Sequence, residues 1–273
     1  MRIQNLTQQT TIYNSLYNVE WPVQNVLAFT TTRLAPQQKT LSLNHSHSSA
    51  YDQFNLGKHV GDDHEHVNKN RASLLAYLPS NTKIQWLEQV HGNKVVTIES
   101  HSITPLVADA AITRQKNIAL AVMTADCLPI LLTSIDGNEI AAIHGGWKPL
   151  AKNIIAHTLD NMKTANENVI AWLGPCIGQS AFEVGEEVKI VFERQSEKFS
   201  LAFVPAEQSV STKTEGNNKY LANLAMIAKI QLNVLGINKV HHLNHCTYSD
   251  EQQYFSYRRD SITGRMVSII CRN

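Results

Sequence analysis

The chain has 273 residues, 43% of them hydrophobic, with 24 Lys and Arg against 23 Asp and Glu for a net charge of +1. That supports a substantial core, and with no basic or acidic block neither nucleic acid nor a membrane surface is an expected partner, which leaves small molecules. No apolar run reaches the ~18 residues of a membrane span, the segment Met1 to Thr7 lacks the apolar stretch of a signal peptide, and Cys127, Cys176, Cys246 and Cys271 show no CxxC spacing, so a cytoplasmic protein with reduced thiols is expected.

In chain order, strands are predicted at Val26 to Thr32, Lys83 to Val90, Lys94 to Ile98, Ile118 to Thr124, Val169 to Leu173, Lys239 to Leu243 and Met266 to Cys271. A hairpin joins Leu128 to Ile135 with Glu139 to His144 through the turn signal Asp136-Gly137-Asn138. A helix capped by Asp62 or Asp63 should run to about Leu78, with Val67, Leu74, Leu75 and Leu78 on its apolar face and Arg71 on its flank. A second should start near Pro149 and carry Leu150, Ile154, Ile155, Leu159 and Met162. A third spans Tyr220 to Leu235 and closes at Gly236. There is no repeat or low-complexity linker, so one domain over 1–273 is the simpler organisation, with 1–25 a candidate N-terminal extension. Hairpins interspersed with helices favour an α+β class.

His91, Cys127 and His144 each follow an apolar run, at points where a strand ends and can deliver a side chain into a shared pocket. A thiolate and two imidazoles suit zinc, and three protein ligands leave a fourth position open, as in catalytic sites. If the loop is Asp136-Gly137, Cys127 faces Gly146; if Asn138 belongs to it, Cys127 faces Trp147. Either way His144 lies close by, since diagonal neighbours across a hairpin are roughly 7 to 8 Å apart. The plain alternative is a buried small thiol and two satisfied core histidines, because nothing local brings His91 alongside. Beyond the hairpin, Gly145-Gly146-Trp147-Lys148 precedes a helix, where free N–H groups could receive an anion with Lys148 in support. Tyr257-Arg258-Arg259-Asp260 adds two more cations.

Several stretches together resemble the laccase-domain family, once described as multicopper polyphenol oxidases and now regarded as zinc-dependent purine nucleoside phosphorylases. They are Phe54-Asn55-Leu56-Gly57, His59-Val60-Gly61-Asp62-Asp63, Asn70-Arg71, Gln89-Val90-His91-Gly92, Ala125-Asp126-Cys127, His144 to Trp147, Gly174 to Gly178, and Phe255 to Asp260 with Thr263-Gly264-Arg265. The resemblance implies a single layered α/β/β/α domain with zinc on His91, Cys127 and His144. It also implies phosphorolysis of adenosine, inosine, guanosine or methylthioadenosine, with adenosine deamination as a companion activity. Read against that chemistry, Arg71, Lys148, Arg258 and Arg259 are candidate cations for phosphate, Asp126 a candidate acid or base beside the metal, and Asn55 a candidate ligand of a ribose hydroxyl. The chain departs from the family pattern at Lys148-Pro149, where Arg-Gly is usual, after Arg33, where a Gly pair is common, and at Asn223, where an acid is common.

Three rivals remain. A copper oxidase would need many paired histidines, whereas His45-Ser46-His47 and His64-Glu65-His66 lie in polar segments expected to be solvated. An amide hydrolase acting on a peptidoglycan precursor would use Cys127 as nucleophile and His144 as base. A structural metal site would draw on His241, His242, His245 and Cys246, although His241 and His242 point to opposite faces of a strand.

Overall fold

The structure is a computed structural model describing residues 14–36, 49–206 and 218–273; Tyr13, His45 and His47 lie outside the described residues. Two sheets stack face to face. One has five strands in the order Leu16–Asn18, Val26–Thr31, Met266–Arg272, Ile118–Thr124, Lys83–Gln85. The other has six, Val240–His242, Val169–Leu173, Leu128–Ser134, Ile140–Gly145, Ala110–Thr113 and Val95–Ile98, antiparallel in the middle and parallel at both edges. The fold is α+β with mixed sheets, as the sequence suggested.

Period-2 alternation assigns the layers. In Ile118–Thr124 the side chains of Leu120 and Val122 point inward onto Leu131, Ala142 and Trp172 of the six-stranded sheet. Ala119, Ala121 and Met123 point outward and are covered by Leu74 and Leu78 of the first helical region. On the far side, Leu128, Ile130, Leu132 and Ile143 pack under Ile155, Leu159 and Ile227 from helices. Central strands are thus buried on both faces, which is why they read as continuous apolar runs.

The helices differ from expectation in their bounds. The first runs His64–Leu75, and Asp63 accepts the His66 N–H at 2.8 Å as its N-cap. Leu75 is 46% exposed, so the apolar face is narrower than its sequence suggests. Its first-turn His66 is half-buried and bonded to Asp62 at 2.9 Å, not solvated. The predicted second helix is two, Trp147–Ala151 and Ile154–Asn161, broken where Asn153 takes a left-handed φ of 58°. Asn tolerates that region better than most residues, and the carbonyls freed by the break accept from the Gln231, Gln195 and Asn93 amides. The third is Leu224–Val234; the stretch assigned to its first turn is a strand, Lys219–Ala222, between Glu183–Gly185 and Phe203–Pro205. Likewise Lys83 to Val90 divides at Trp86, with Leu87–Glu88 leaving to pair with Leu106–Val107.

Leu16–Asn18 pairs with Val26–Thr31, and Tyr17 packs edge-on against His245, so the polar N-terminal segment joins the sheet from there on. Among the described residues, no helix is long and apolar enough to cross a membrane.

Asn223 caps Leu224–Val234 by accepting the Met226 N–H at 2.9 Å. Asn223→Ala should cost about 1 kcal/mol of stability while Asn223→Asp keeps it, as read from urea unfolding midpoints.

Candidate metal centre

The three predicted donors meet. His91, Cys127 and His144 present ligand atoms all within 4.8 Å of one another. Cys127 Sγ lies 3.8 Å from His91 Nε2, and the two imidazoles meet edge to face at 4.7 Å. Donors around a tetrahedral zinc sit about 3.4–3.7 Å apart, so a small contraction would seat an ion. The hairpin register sets Gly145 opposite Leu128 and hence Gly146 opposite Cys127, the shorter-loop alternative. Both glycines serve close approach: a Cβ at Gly145 would lie 2.7 Å from the Leu128 carbonyl, and one at Gly146 2.9 Å from Cys127 Sγ. The helix behind them has only five residues, and Lys148 is exposed beside the Trp147 ring, outside the pocket lining. The Gly-Gly pair therefore makes room for the donors.

What brings His91 alongside is a pair of side chains that imitate backbone. The Gln89 amide donates to the Met123 carbonyl and accepts the Met123 N–H, both at 2.8 Å, and so aligns the His91 loop with the strand leading to Cys127. The fully buried Asp109 carboxylate accepts the N–H groups of Val90, His91 and Gly92 at 3.3, 3.0 and 2.7 Å. It also bonds His144 Nδ1 at 2.8 Å, which leaves Nε2 of that ring for an ion and fixes its tautomer. Burial alone would raise the Asp109 carboxyl; hydrogen bonds from His144 and Gly92 outweigh it and hold it low. Burial likewise opposes charge on Cys127 and His144, yet their mutual attraction, with Asp109 behind the imidazole, pulls the thiol down and the imidazole up. That is the charge state in which the sulfur is a metal ligand or nucleophile.

The donors open on a pocket of about 440 Å³, whose walls include Trp147, Ile177, Phe182, Leu224 and Tyr257. Asp126 and Arg258 line it too. Asp126, at φ 93°, accepts from the Thr247 hydroxyl at 2.6 Å and the Arg258 N–H at 2.7 Å, so its carboxylate ties the C-terminal loop to the metal donors. Arg258 donates to the Glu183 carbonyl and lies over Phe182. Arg71 is held behind Met123, stacked 3.6 Å from the Trp86 ring centroid and bonded to the Leu56 carbonyl. Arg259 binds Asp260 and the carbonyls of Thr247, Tyr248 and Tyr254. Asn55 is fully buried; its oxygen accepts from Gly57 and Arg265 backbone, and its nitrogen donates to the Gly57 carbonyl and Asp62. It faces protein on every side, not the pocket.

The rival histidine cluster does not converge. His242 meets Lys229, His245 bonds the Tyr254 hydroxyl at 2.7 Å, and His241 is exposed. Sequence reading missed Asp109, and it quoted Gln89, His59 and Arg265 within motifs without giving them a role in the site. Asp109 carried a signal, a lone acid inside the apolar run Leu106-Val107-Ala108-Asp109-Ala110-Ala111-Ile112, where a buried charge must have partners.

Residues 40–273 match the family model described as multi-copper polyphenol oxidoreductase laccase. The chain belongs to that laccase family. A Haemophilus influenzae member named purine nucleoside phosphorylase is 42% identical over 254 residues, covering 93% of this chain and 97% of that one. The Escherichia coli purine nucleoside phosphorylase YfiH is 40% identical over 220 residues, 81% and 86% of the two chains. The crystal structure of Neisseria meningitidis NMB0706 superimposes with a TM-score of 0.82 at 34% identity, over 95% of this chain and 100% of that one. Despite the family's description, the described residues of this laccase-family chain bring together one cluster of metal donors, not several.

Asp109→Asn keeps the size of the side chain but removes the charge that orients His144. Metal affinity should fall about 10- to 100-fold, measured by competition with a chromophoric chelator.

Proposed function

We propose that the chain is a zinc-dependent purine nucleoside phosphorylase of the cytoplasm. It takes adenosine, inosine, guanosine or methylthioadenosine with phosphate and yields the free base and the pentose 1-phosphate, with adenosine deamination as a companion activity. The observation that carries this reading is the meeting of three donor atoms, an aromatic wall and cationic side chains in one pocket. The names of the relatives, at about two-fifths identity over most of the chain, support the same substrate class.

The donor set fits zinc: one sulfur and two ring nitrogens, with His144 already oriented by a carboxylate. His91, Cys127 and His144 would hold the zinc, which would supply Lewis-acid chemistry when bound. The rest falls to the protein. Phe182, Tyr257 and Trp147 offer faces to the flat purine, and Ile177 and Leu224 exclude water around it. In phosphorolysis a bond forms from a phosphate oxygen to C1′ while the C1′–N9 bond breaks, and the departing purine takes up a proton. Arg258 supplies positive charge where phosphate must approach, and Asp126 contributes by fixing the Arg258 backbone rather than by handling a proton. Arg71 acts from behind Met123 as part of the pocket's support.

Two imidazoles and a thiolate also suit a single copper, so metal content belongs in the test. Metal-analysed protein is incubated with adenosine or inosine, with and without phosphate, and products are separated by chromatography alongside Cys127→Ala. Phosphate-dependent release of free base by protein with about one zinc per chain, both lost in the variant, is the expected result. Copper with oxidase turnover, or amide hydrolysis that survives metal removal and stops on alkylation of Cys127, would overturn it.

A further inference from the structure

Among the sequence motifs outside the metal centre are Phe54 to Gly57, His59 to Asp63, and Thr263-Gly264-Arg265. The structure folds them onto one another. Asn55 accepts the Arg265 N–H at 2.9 Å, and the Leu56 N–H donates to the Arg265 carbonyl at 3.1 Å. Gly57 is the floor for the arginine stem, since a Cβ there would lie 2.8 Å from Arg265 Cγ. Asp62 closes the cluster by accepting from Asn55. The product of these contacts is an arginine fixed at backbone and stem that lines the pocket together with His59, on which its charge acts.

Among the described residues the Arg265 guanidinium forms no ion pair with a carboxylate, although Asp126 lies close enough to act on it electrostatically. Its Nη1 donates to the Thr263 and Gly264 carbonyls, and Tyr257 lies 5.8 Å away. The second arginine of the pocket, Arg258, is likewise paired to a carbonyl and a ring, and Asp126, the carboxylate that lines the pocket among the described residues, is already taken by Thr247 and the Arg258 backbone. Burial and the nearby Arg265 and Arg71 lower the pKa of His59. Arg265 is half-buried and Arg258 exposed, and among the described residues the anion that faces Arg265 across the pocket is the Cys127 sulfur, a metal donor, so a bound oxyanion has a partly desolvated cation to pair with. A planar fork with free edges matches a tetrahedral oxyanion better than it matches a neutral sugar or base.

We propose that Arg265, flanked by His59 and Arg258 and positioned by Asn55 and Gly57, is the phosphate subsite of the pocket, and that its ligand is inorganic phosphate serving as cosubstrate. This rests on the phosphorylase reading. It gives Asn55 a positioning role through Arg265 in place of direct contact with ribose.

The test is a ³¹P NMR titration of zinc-loaded protein with inorganic phosphate and, separately, with adenosine 5′-monophosphate, on wild type, Arg265→Ala and Arg265→Lys. Zinc content and melting temperature are measured for each. Wild type should broaden the phosphate line saturably, Arg265→Ala should weaken phosphate binding about tenfold or more, and Arg265→Lys should fall between. In the nucleoside assay, Arg265→Lys and Asn55→Ala should raise the KM for phosphate and leave that for nucleoside near wild type. Unchanged phosphate binding in folded, zinc-loaded Arg265→Ala would overturn the proposal, as would binding of the nucleotide alone. If Arg265→Ala does not fold, an unchanged phosphate KM in Arg265→Lys overturns it. Phosphate binding lost with Arg265 in a protein that cleaves no nucleoside would count against the phosphorylase reading and leave the subsite standing.

Discussion

The buried carboxylate of Asp109 is the constraint on which the site depends. It gathers three consecutive N–H groups of the His91 turn and the ring N–H of His144, and so converts two remote segments into a rigid pair of imidazoles. A charge in that position is tolerable only because every lone pair is used. The same bonds that satisfy Asp109 also orient the donors, so satisfying the core and building the site are one requirement. His91 adopts a positive φ within this grip, an unfavourable conformation for a residue with a side chain, which is kept because three hydrogen bonds over-determine the turn.

The sheets were largely legible in the sequence. Strands buried on both faces announce themselves as apolar runs, and the hairpin turn narrowed the register to two choices, of which the structure takes the one that places Cys127 opposite Gly146. The metal donors followed from their residue types at strand ends. Less visible were elements whose existence depends on partners far along the chain. Lys219–Ala222 has four residues and becomes a strand only between two other short ones, and Asn153 interrupts a well-formed helical period because side-chain amides elsewhere accept the consequences. Asn55 illustrates the limit for site residues: a polar residue in a motif can face a ligand or hold a backbone, and only its four hydrogen bonds decide between them.

The pocket joins two kinds of construction. One side is made of strand ends carrying His144, Cys127 and Met123, whose positions are set by sheet registers. The other is made of loops, 57–59, 177–182 and 257–265, held by side chains that substitute for regular structure. Asp126 links them, since its backbone carbonyl accepts from Ile177 and its carboxylate from Thr247 and Arg258. Rigid strands suit the metal donors, which tolerate little error in distance. Loops suit the region through which a small ligand must enter and leave.

Met266–Arg272 follows the other described elements in sequence, yet it occupies the middle of the five-stranded sheet, between Val26–Thr31 and Ile118–Thr124. A polypeptide emerging from the ribosome must therefore hold those two neighbours apart, each with an open hydrogen-bonding edge, until this strand arrives. During that interval the half-sheet is adhesive toward other chains. Removal of Met266–Arg272 alone would leave the same gap permanently, so losing this one strand of 7 residues should be more damaging to solubility than its length suggests.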